Sequence, residues 1–525
     1  MSRFVRSSLF RHTYGSPAKP ENRYDNIKIS ASAFDTNLVS ASDKYLAVNW
    51  QASGGGAYVV TPLDITGKLP DIFPLVRAHT APVLDTAFSP FDNELVASVG
   101  EDGKVALTRV DDQIIRDAWN RDRKDLPDME PLWRENAHGR KAGHVKFNPV
   151  AQGVLATAST DVKIWDLEAQ KSSYQSETHA DMVQSIDWDW TGSTYATGCK
   201  DKKLRIFDPR AGSAAVTVVD SHSGVKGSRV LHLGNQDRIV TTGFSRTSDR
   251  QLFLWDAREL NKGPIKQMNI DQSSGMLMPF FSAGTNVLFL AGKGDGNVRM
   301  YEYDNDELFY LSDYGSSQPQ RGMCFAPAHA VDVEENEIAR AYKAVGTTIE
   351  PVSFIVPRKS EAFQADLFPP APSDQPALSA ADWFGGKSSN PIMVDMETRK
   401  TTSSSEPVKP YKPTAAPAAA PAAAPAPAPV EKAAPAPKAA TPPRAASPPP
   451  PVPAPVAAAP RAATPPPQAP ATNGTSATSN GGSKDDGEVA ALREENEQLR
   501  ADLAEKDAVI RELELKLERV KSALA

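Results

Sequence analysis

Three stretches of this chain repeat one another, and the repeat limits what the chain can fold into more than any other feature does. The clearest copy runs from His179 through Val183, Ile186, Trp188, Ala196, Thr197, Gly198, Asp201, Leu204 and Ile206 to Phe207-Asp208. The copy before it opens at His138 and passes Val145, Phe147, Ala156, Thr157, Ser159 and Asp161 to end at Trp165-Asp166. The copy after it opens at His222 and passes Val230 and Thr242 to Trp255-Asp256. Divergent copies flank these: one opens at His79 and turns at Asp102-Gly103, and another turns at Asp295-Gly296-Asn297.

The opening histidines of the clear copies lie 41 and 43 residues apart, which is the length of one four-stranded blade of a WD-repeat propeller. Weaker strand patterns at residues 30–63 and 321–356 bring the count to about seven blades. The expected fold is all-β, a seven-bladed WD-repeat propeller over residues 1–356. A lone blade cannot bury both of its faces, so the ring has to close on itself. Residues 4–12 are expected to close it as the outer strand of the blade that holds residues 354–356.

The conspicuous polar residues of the repeats invite a catalytic reading, and their positions argue against it. His79, His138, His179 and His222 share one place in the repeat. There a histidine satisfies the turn aspartate and the tryptophan of its own blade, so His79, Asp102, His138, Asp161, Trp165, His179, Asp201, His222, Trp255 and Asp295 read as a structural blade network. Gly292-Lys293-Gly294-Asp295-Gly296 joins two strands, whereas a phosphate-cradling loop must open a helix. No nucleophile elbow, zinc motif or paired-carboxylate signature occurs, so no enzyme activity, metal or cofactor is expected. Cys199 and Cys324 lack the spacing of a metal site or a disulfide framework.

A net charge of −7 argues against a general nucleic-acid binder. Local basic clusters are a better lead, namely Arg6 and Arg11 near the N-terminus, Lys28 shortly after, and Lys202, Lys203 and Arg205 around one blade turn. As a set they suit an acidic partner surface. The N-terminus has no apolar run behind its arginines, and no stretch of 18 apolar residues follows, so a cytoplasmic protein without a transmembrane segment is expected.

Beyond the repeats the composition changes twice. Of 45 prolines, 23 fall between positions 401 and 471, in a stretch with few large apolar side chains. Residues 397–486 therefore read as a disordered Pro/Ala-rich linker. Residues 487–525 then carry heptads, with Val489, Asn496, Leu503, Ile510, Leu517 and Leu524 at a, and Leu492, Leu499, Leu513 and Val520 among the d positions. This pattern predicts a C-terminal α-helical coiled coil that makes the chain a homo-oligomer, with Asn496 favouring a parallel dimer.

Several segments together resemble the coronin family of actin-filament regulators. The opening Val5-Arg6-Ser7-Ser8-Leu9-Phe10-Arg11-His12-Thr13-Tyr14-Gly15 is similar to the family's signature, and Ala52-Ser53-Gly54-Gly55-Gly56 to its first glycine turn. Phe363-Gln364-Ala365-Asp366-Leu367-Phe368 and Ala381-Asp382-Trp383-Phe384-Gly385-Gly386 resemble an extension, here residues 357–396, that packs back on the propeller. The signature usually has Lys where this chain has Leu9, Gln51 stands where many members carry an acid, and the trimer-associated tail pattern is not matched.

The resemblance implies an F-actin-binding and cross-linking protein of the actin cytoskeleton, sited at cortical actin patches. Lys28 is the foremost contact, and the coiled coil joins several propellers. It raises the branched-actin nucleating complex as a further partner, although no acidic-hydrophobic motif for it is found. The linker carries six basic residues against two acidic ones between positions 401 and 480. That balance suits microtubules, its PxxP segments suit Src-homology-3 domains, and an inert spacer is the plain alternative. The rival for the whole chain is a general WD-repeat scaffold or adaptor without actin binding.

Overall fold

Burial along the strands shows why the repeats form a ring. Second strands such as Tyr45–Trp50 and Val287–Gly292 are almost unbroken apolar runs, buried nearly throughout because a neighbouring blade covers each face. Outer strands such as Lys171–Gln175 are polar and largely exposed. The structure, a computed structural model, describes residues 6–32, 34–120, 125–360 and 362–402. Residues 397–402, expected in the linker, are instead part of the fold, because Thr401–Thr402 adds a strand beside Met393–Val394. The rest of the linker and the heptads, including Leu492, Asn496, Leu499, Leu503, Ile510, Leu513, Leu517 and Val520, lie outside the described residues.

Six antiparallel four-stranded sheets form blades one to six over residues 39–79, 83–136, 144–175, 183–220, 229–271 and 277–315. Blade seven is composite, with Gly322–Phe325, Glu337–Val345 and Thr348–Ile355 supplied from one end of the propeller and its remaining strands from the other. The all-β, seven-bladed reading is thus realised.

The closing strand is not the expected one. Tyr14–Pro17, not residues 4–12, pairs with Thr348–Ile355, with Tyr14 opposite Ile355 and Gly15 opposite Phe354. The reason is steric: a Cβ on residue 15 would sit 2.5 Å from the Tyr314 ring, so glycine lets the strand lie flush against blade six. The residues before it take a different course. Phe10 is buried between blades six and seven, the Thr13 carbonyl accepts from Ser312 Oγ at 2.7 Å, and Arg6 pairs with Glu302 and Asp304 at 2.5 and 2.8 Å. The guanidinium of Arg6 also lies 4.5 Å from the centre of the Phe309 ring.

The meander order gives the ring two unlike faces. Loops joining first to second and third to fourth strands form the lower face, and the remaining loops form the upper one. Residues 362–402 run along the lower face. Leu367 and Phe368 bury themselves against blades six and seven, and the Pro372 carbonyl meets His329 Nδ1 at 2.8 Å in blade seven. Five residues later the backbone N–H of Ala377 donates to Val150 O of blade three at 3.0 Å. Blades seven and three are not neighbours, so the chain there passes beneath the axis. The helix Ala380–Phe384 then seats Trp383 against Trp188, with Trp383 Nε1 donating to Gly192 O at 2.7 Å.

On the upper face, residues 30–32 and 34–37 cross the mouth of the axial channel. Thr36 Oγ1 donates to Leu84 O of blade two, and the Phe34 ring lies 5.7 Å from that of His144 in blade three. Below this crossing lies a cavity of about 420 Å³, lined by the inner strands of all seven blades.

Candidate partner-binding face

The repeat histidines sit where strand geometry places them, at the upper end of each blade junction. In blade three, His138 Nδ1 is 2.9 Å from Asp161 Oδ1, and His138 Nε2 is 2.9 Å from Thr157 Oγ1. Thr157 Oγ1 also accepts from Trp165 Nε1 at 2.9 Å. His79 makes the matching contacts to Asp102 and Ser98 at 3.0 and 2.9 Å. Burial opposes the charge on Asp102, but the bond to His79 and the N–H groups of Thr80 and Lys104 outweigh it and hold this carboxyl well below the usual range.

One correction concerns where these networks act. His79 ends the outer strand Val76–His79 of blade one, whereas Asp102 and Ser98 belong to blade two. The networks therefore fasten neighbouring blades to each other rather than holding one blade together. A second correction is that the set is not uniform. His179 Nδ1 faces the Thr160 carbonyl at 3.1 Å, and Asp201 pairs instead with Arg205. His222 stacks on Phe253 and shares Thr241 Oγ1 with Trp255 Nε1, without an aspartate. Burial pushes both His179 and His222 down to about 4, so both rings are neutral near pH 7. In blade six no histidine appears at all. Asp295 pairs with the buried Arg250 at 2.6 Å and accepts from Ser273 Oγ at 2.8 Å, while Arg250 also grips Asp271 at 2.5 Å.

These engagements decide which charges remain for a partner. Arg6, Arg11 and Arg205 have internal partners: acids for Arg6 and Arg205, and the Arg6 carbonyl for Arg11. Lys203 reaches Asp220 at 3.1 Å in an exposed pair. Lys28 is exposed on the upper side of the blade seven to blade one junction, its carbonyl accepting from Gln51 N at 2.7 Å, with no described acid in ion-pairing distance. Lys202 tops a blade-four turn and donates only to Ser223 O at 2.9 Å. Arg140, Lys141, Lys226 and Arg246 share this state in other upper loops, since none is within ion-pairing distance of a described acid. Sequence clustering missed these four because they fall in three separate loops that come to one face only when the ring closes.

Cys199 and Cys324 are buried free thiols, and burial pushes Cys199 up to about 11 and Cys324 higher still, away from a reactive thiolate. Among the described residues no group of three or more His, Cys, Asp or Glu side chains is placed to hold a metal ion. Among the same residues no helix is long and apolar enough to cross a membrane.

Comparison with known proteins adds a family to this geometry. Residues 3–68 match a domain of unknown function (DUF1899), residues 170–208 match the WD domain, G-beta repeat, and residues 349–391 match a type of WD40 repeat. The chain is 45% identical over 421 residues to the coronin-like protein of Saccharomyces cerevisiae, an overlap of 78% of this chain and 64% of that protein. It thus spans just under two thirds of that relative's length. It is 38% identical to human coronin-2A, covering 78% of each chain, and 41% identical to coronin-A of Dictyostelium discoideum, covering 75% of this chain and 87% of that one. The crystal structure of the WD40 domain from Toxoplasma gondii coronin superposes with a TM-score of 0.68 at 30% identity, over 77% of this chain and 99% of that domain.

Proposed function

Because this chain belongs to the coronin family, we propose that it binds F-actin through its upper face and organises filaments by presenting several propellers at once. The observation that carries this reading is the contrast between the faces. The chain's own extension occupies the lower one, while the upper one keeps Lys28, Lys202 and four further cations without acid partners. A filament with an acidic surface meets such a face through steering and complementarity. Binding, not catalysis, is the work of this propeller.

Cross-linking needs more than one head. The heptads of residues 487–525 supply the joint, and linked heads bind at high effective concentration, so weak single contacts add up. The linker of residues 403–486 spans about 50 Å as a flexible chain, enough to reach a second site on a filament or a neighbouring filament. Its basic balance and PxxP segments offer microtubules and Src-homology-3 domains as secondary partners. Work at the branched-actin nucleating complex, and residence at cortical actin patches in the cytoplasm, belong to the same proposal.

Co-sedimentation with F-actin at low and moderate salt tests the contact. Wild type is expected to pellet with filaments less as salt rises, and Lys28→Glu with Lys202→Glu is expected to weaken pelleting several-fold while the thermal midpoint stays put. No pelleting at low salt defeats the reading in favour of a general scaffold. Deleting residues 487–525 is expected to abolish low-speed bundling.

A further inference from the structure

The upper mouth of the channel gathers more positive charge than the chain neutralises. Four cationic side chains from four blades converge on the segment that crosses it. Arg321 donates to Ser30 O at 2.7 Å, Arg229 donates to Asp35 O, Lys293 Nζ lies 3.4 Å from Asp35 Oδ1, and Lys141 Nζ lies 5.1 Å from the centre of the Phe34 ring. Among the described residues only one carboxylate, Asp35, pairs with them at the surface. Burial, and then repulsion by Arg229, pushes Lys293 down to about 8 against the opposing pull of Asp35. Asp85, the next acid down the channel, is pushed up to about 7 by burial and so supplies only part of a charge near neutrality.

Two further observations say that this ring faces a site rather than a finished ion-pair network. Arg229 is 8% exposed, lines the 420 Å³ cavity, and leaves its Nε without a hydrogen-bond partner. The crossing segment is fastened through its backbone and Thr36, while its one carboxylate is left largely in solvent. Its described residues are small or polar apart from Phe34, Phe34 is only half-buried, and the Asp35 side chain is 49% exposed with one long contact to Lys293.

We propose that the upper mouth is a binding site for an acidic peptide segment of a partner protein, and that Asp35 occupies the place of the partner's carboxylate in the free chain. The guanidinium of Arg321 and the amine of Lys293 meet the incoming carboxylates at the rim, and Arg229 meets the deepest one. The proposal is tested apart from filament binding, because Lys28 and Lys202 lie outside the ring, only Lys141 is shared, and its test uses no actin.

The probe is a fluorescein-labelled hexaglutamate peptide, followed by anisotropy with the full-length protein at low salt. Asp35→Asn removes the internal competitor, and about ten-fold tighter binding is expected from the change of one charge at close range. Adding Lys293→Gln and Arg321→Gln is expected to erase that gain, while Lys28→Glu leaves it in place. A second measurement needs no variant: acylation of Lys293 at pH 8, read by mass spectrometry, is expected to fall several-fold when hexaglutamate is present. No gain with Asp35→Asn, a gain that survives loss of Lys293 and Arg321, or Lys293 acylation indifferent to the peptide each overturns the proposal.

Discussion

The two faces of this propeller are built from the same kind of loop, yet one is finished by the chain and the other is left open. On the lower face the extension supplies Leu367, Phe368, Trp383 and Val394 to cover loop ends, and their burial is stabilisation the bare ring lacks. On the upper face the loops spend their side chains on junction networks and leave cations in water. The difference teaches that apolar side chains mark the self-contact of this fold and unpaired charge marks the surface kept for others. If so, perturbing the lower face costs stability and perturbing the upper face costs binding.

The largest expected effect comes from the closure on which both faces depend. Removing residues 1–18 strips the outer strand from blade seven and uncovers the edge of Thr348–Ile355. The cooperative thermal transition is expected to vanish, and a truncated chain that melts like wild type breaks the closure assignment. Gly15→Val asks the same with one side chain, since its Cβ is driven into Tyr314.

Next comes the lower face itself. Trp383 is 2% exposed and packs against Trp188 and Phe384 with ring centroids 5.9 and 4.9 Å apart. Trp383→Ala is expected to cost about 3–5 kcal/mol in urea unfolding and to leave hexaglutamate and filament binding nearly unchanged at temperatures where the ring is folded. A variant that loses binding in step with Trp383, while still folded, denies the separation of the faces.

A smaller effect is set by pH at the upper junctions. His179 and His222 have folded values near 4 against an ordinary 6.5. The unfolded chain therefore takes up protons first as pH falls, and the stability each neutral ring contributes is intact above about pH 6.5 and lost toward pH 4, by up to about 3 kcal/mol per histidine. Urea midpoints at pH 7 and 4.5 check this, with His222→Gln expected to flatten part of the slope. Asp102 behaves differently: its low value keeps its contribution until the pH drops below the ordinary carboxylate range.

How much of this could be read from the chain follows the same division. The blades were legible because Thr157, Trp165 and Asp161 recur at fixed offsets, and offsets survive folding. Closure was legible as a need but not in its register, because the signal is the absence of a side chain at Gly15 against a ring at Tyr314, almost three hundred positions away. The blade-six junction was partly legible: Asp295 announced itself in a turn, while the arginine that replaces histidine comes from blade five. The open face was least legible, because six scattered cations become a surface only through the ring's geometry.

The smallest effect is the sharpest test, and it concerns one backbone angle. Lys202 holds φ at +68°, in the left-handed region, in a turn where blade two has Gly103 at +71°. A lysine there is strained, and Lys202→Gly relieves that strain at a site whose side chain has no packing role beyond a bond to Ser223 O. If the lysine is present for a partner, the glycine variant is expected to gain up to about 1 kcal/mol of stability while binding filaments less tightly at low salt. Urea unfolding and co-sedimentation of the same protein decide it. Stability and binding moving in opposite directions is what an open face kept for others requires, and a variant that gains stability with its filament affinity intact removes Lys202 from that face.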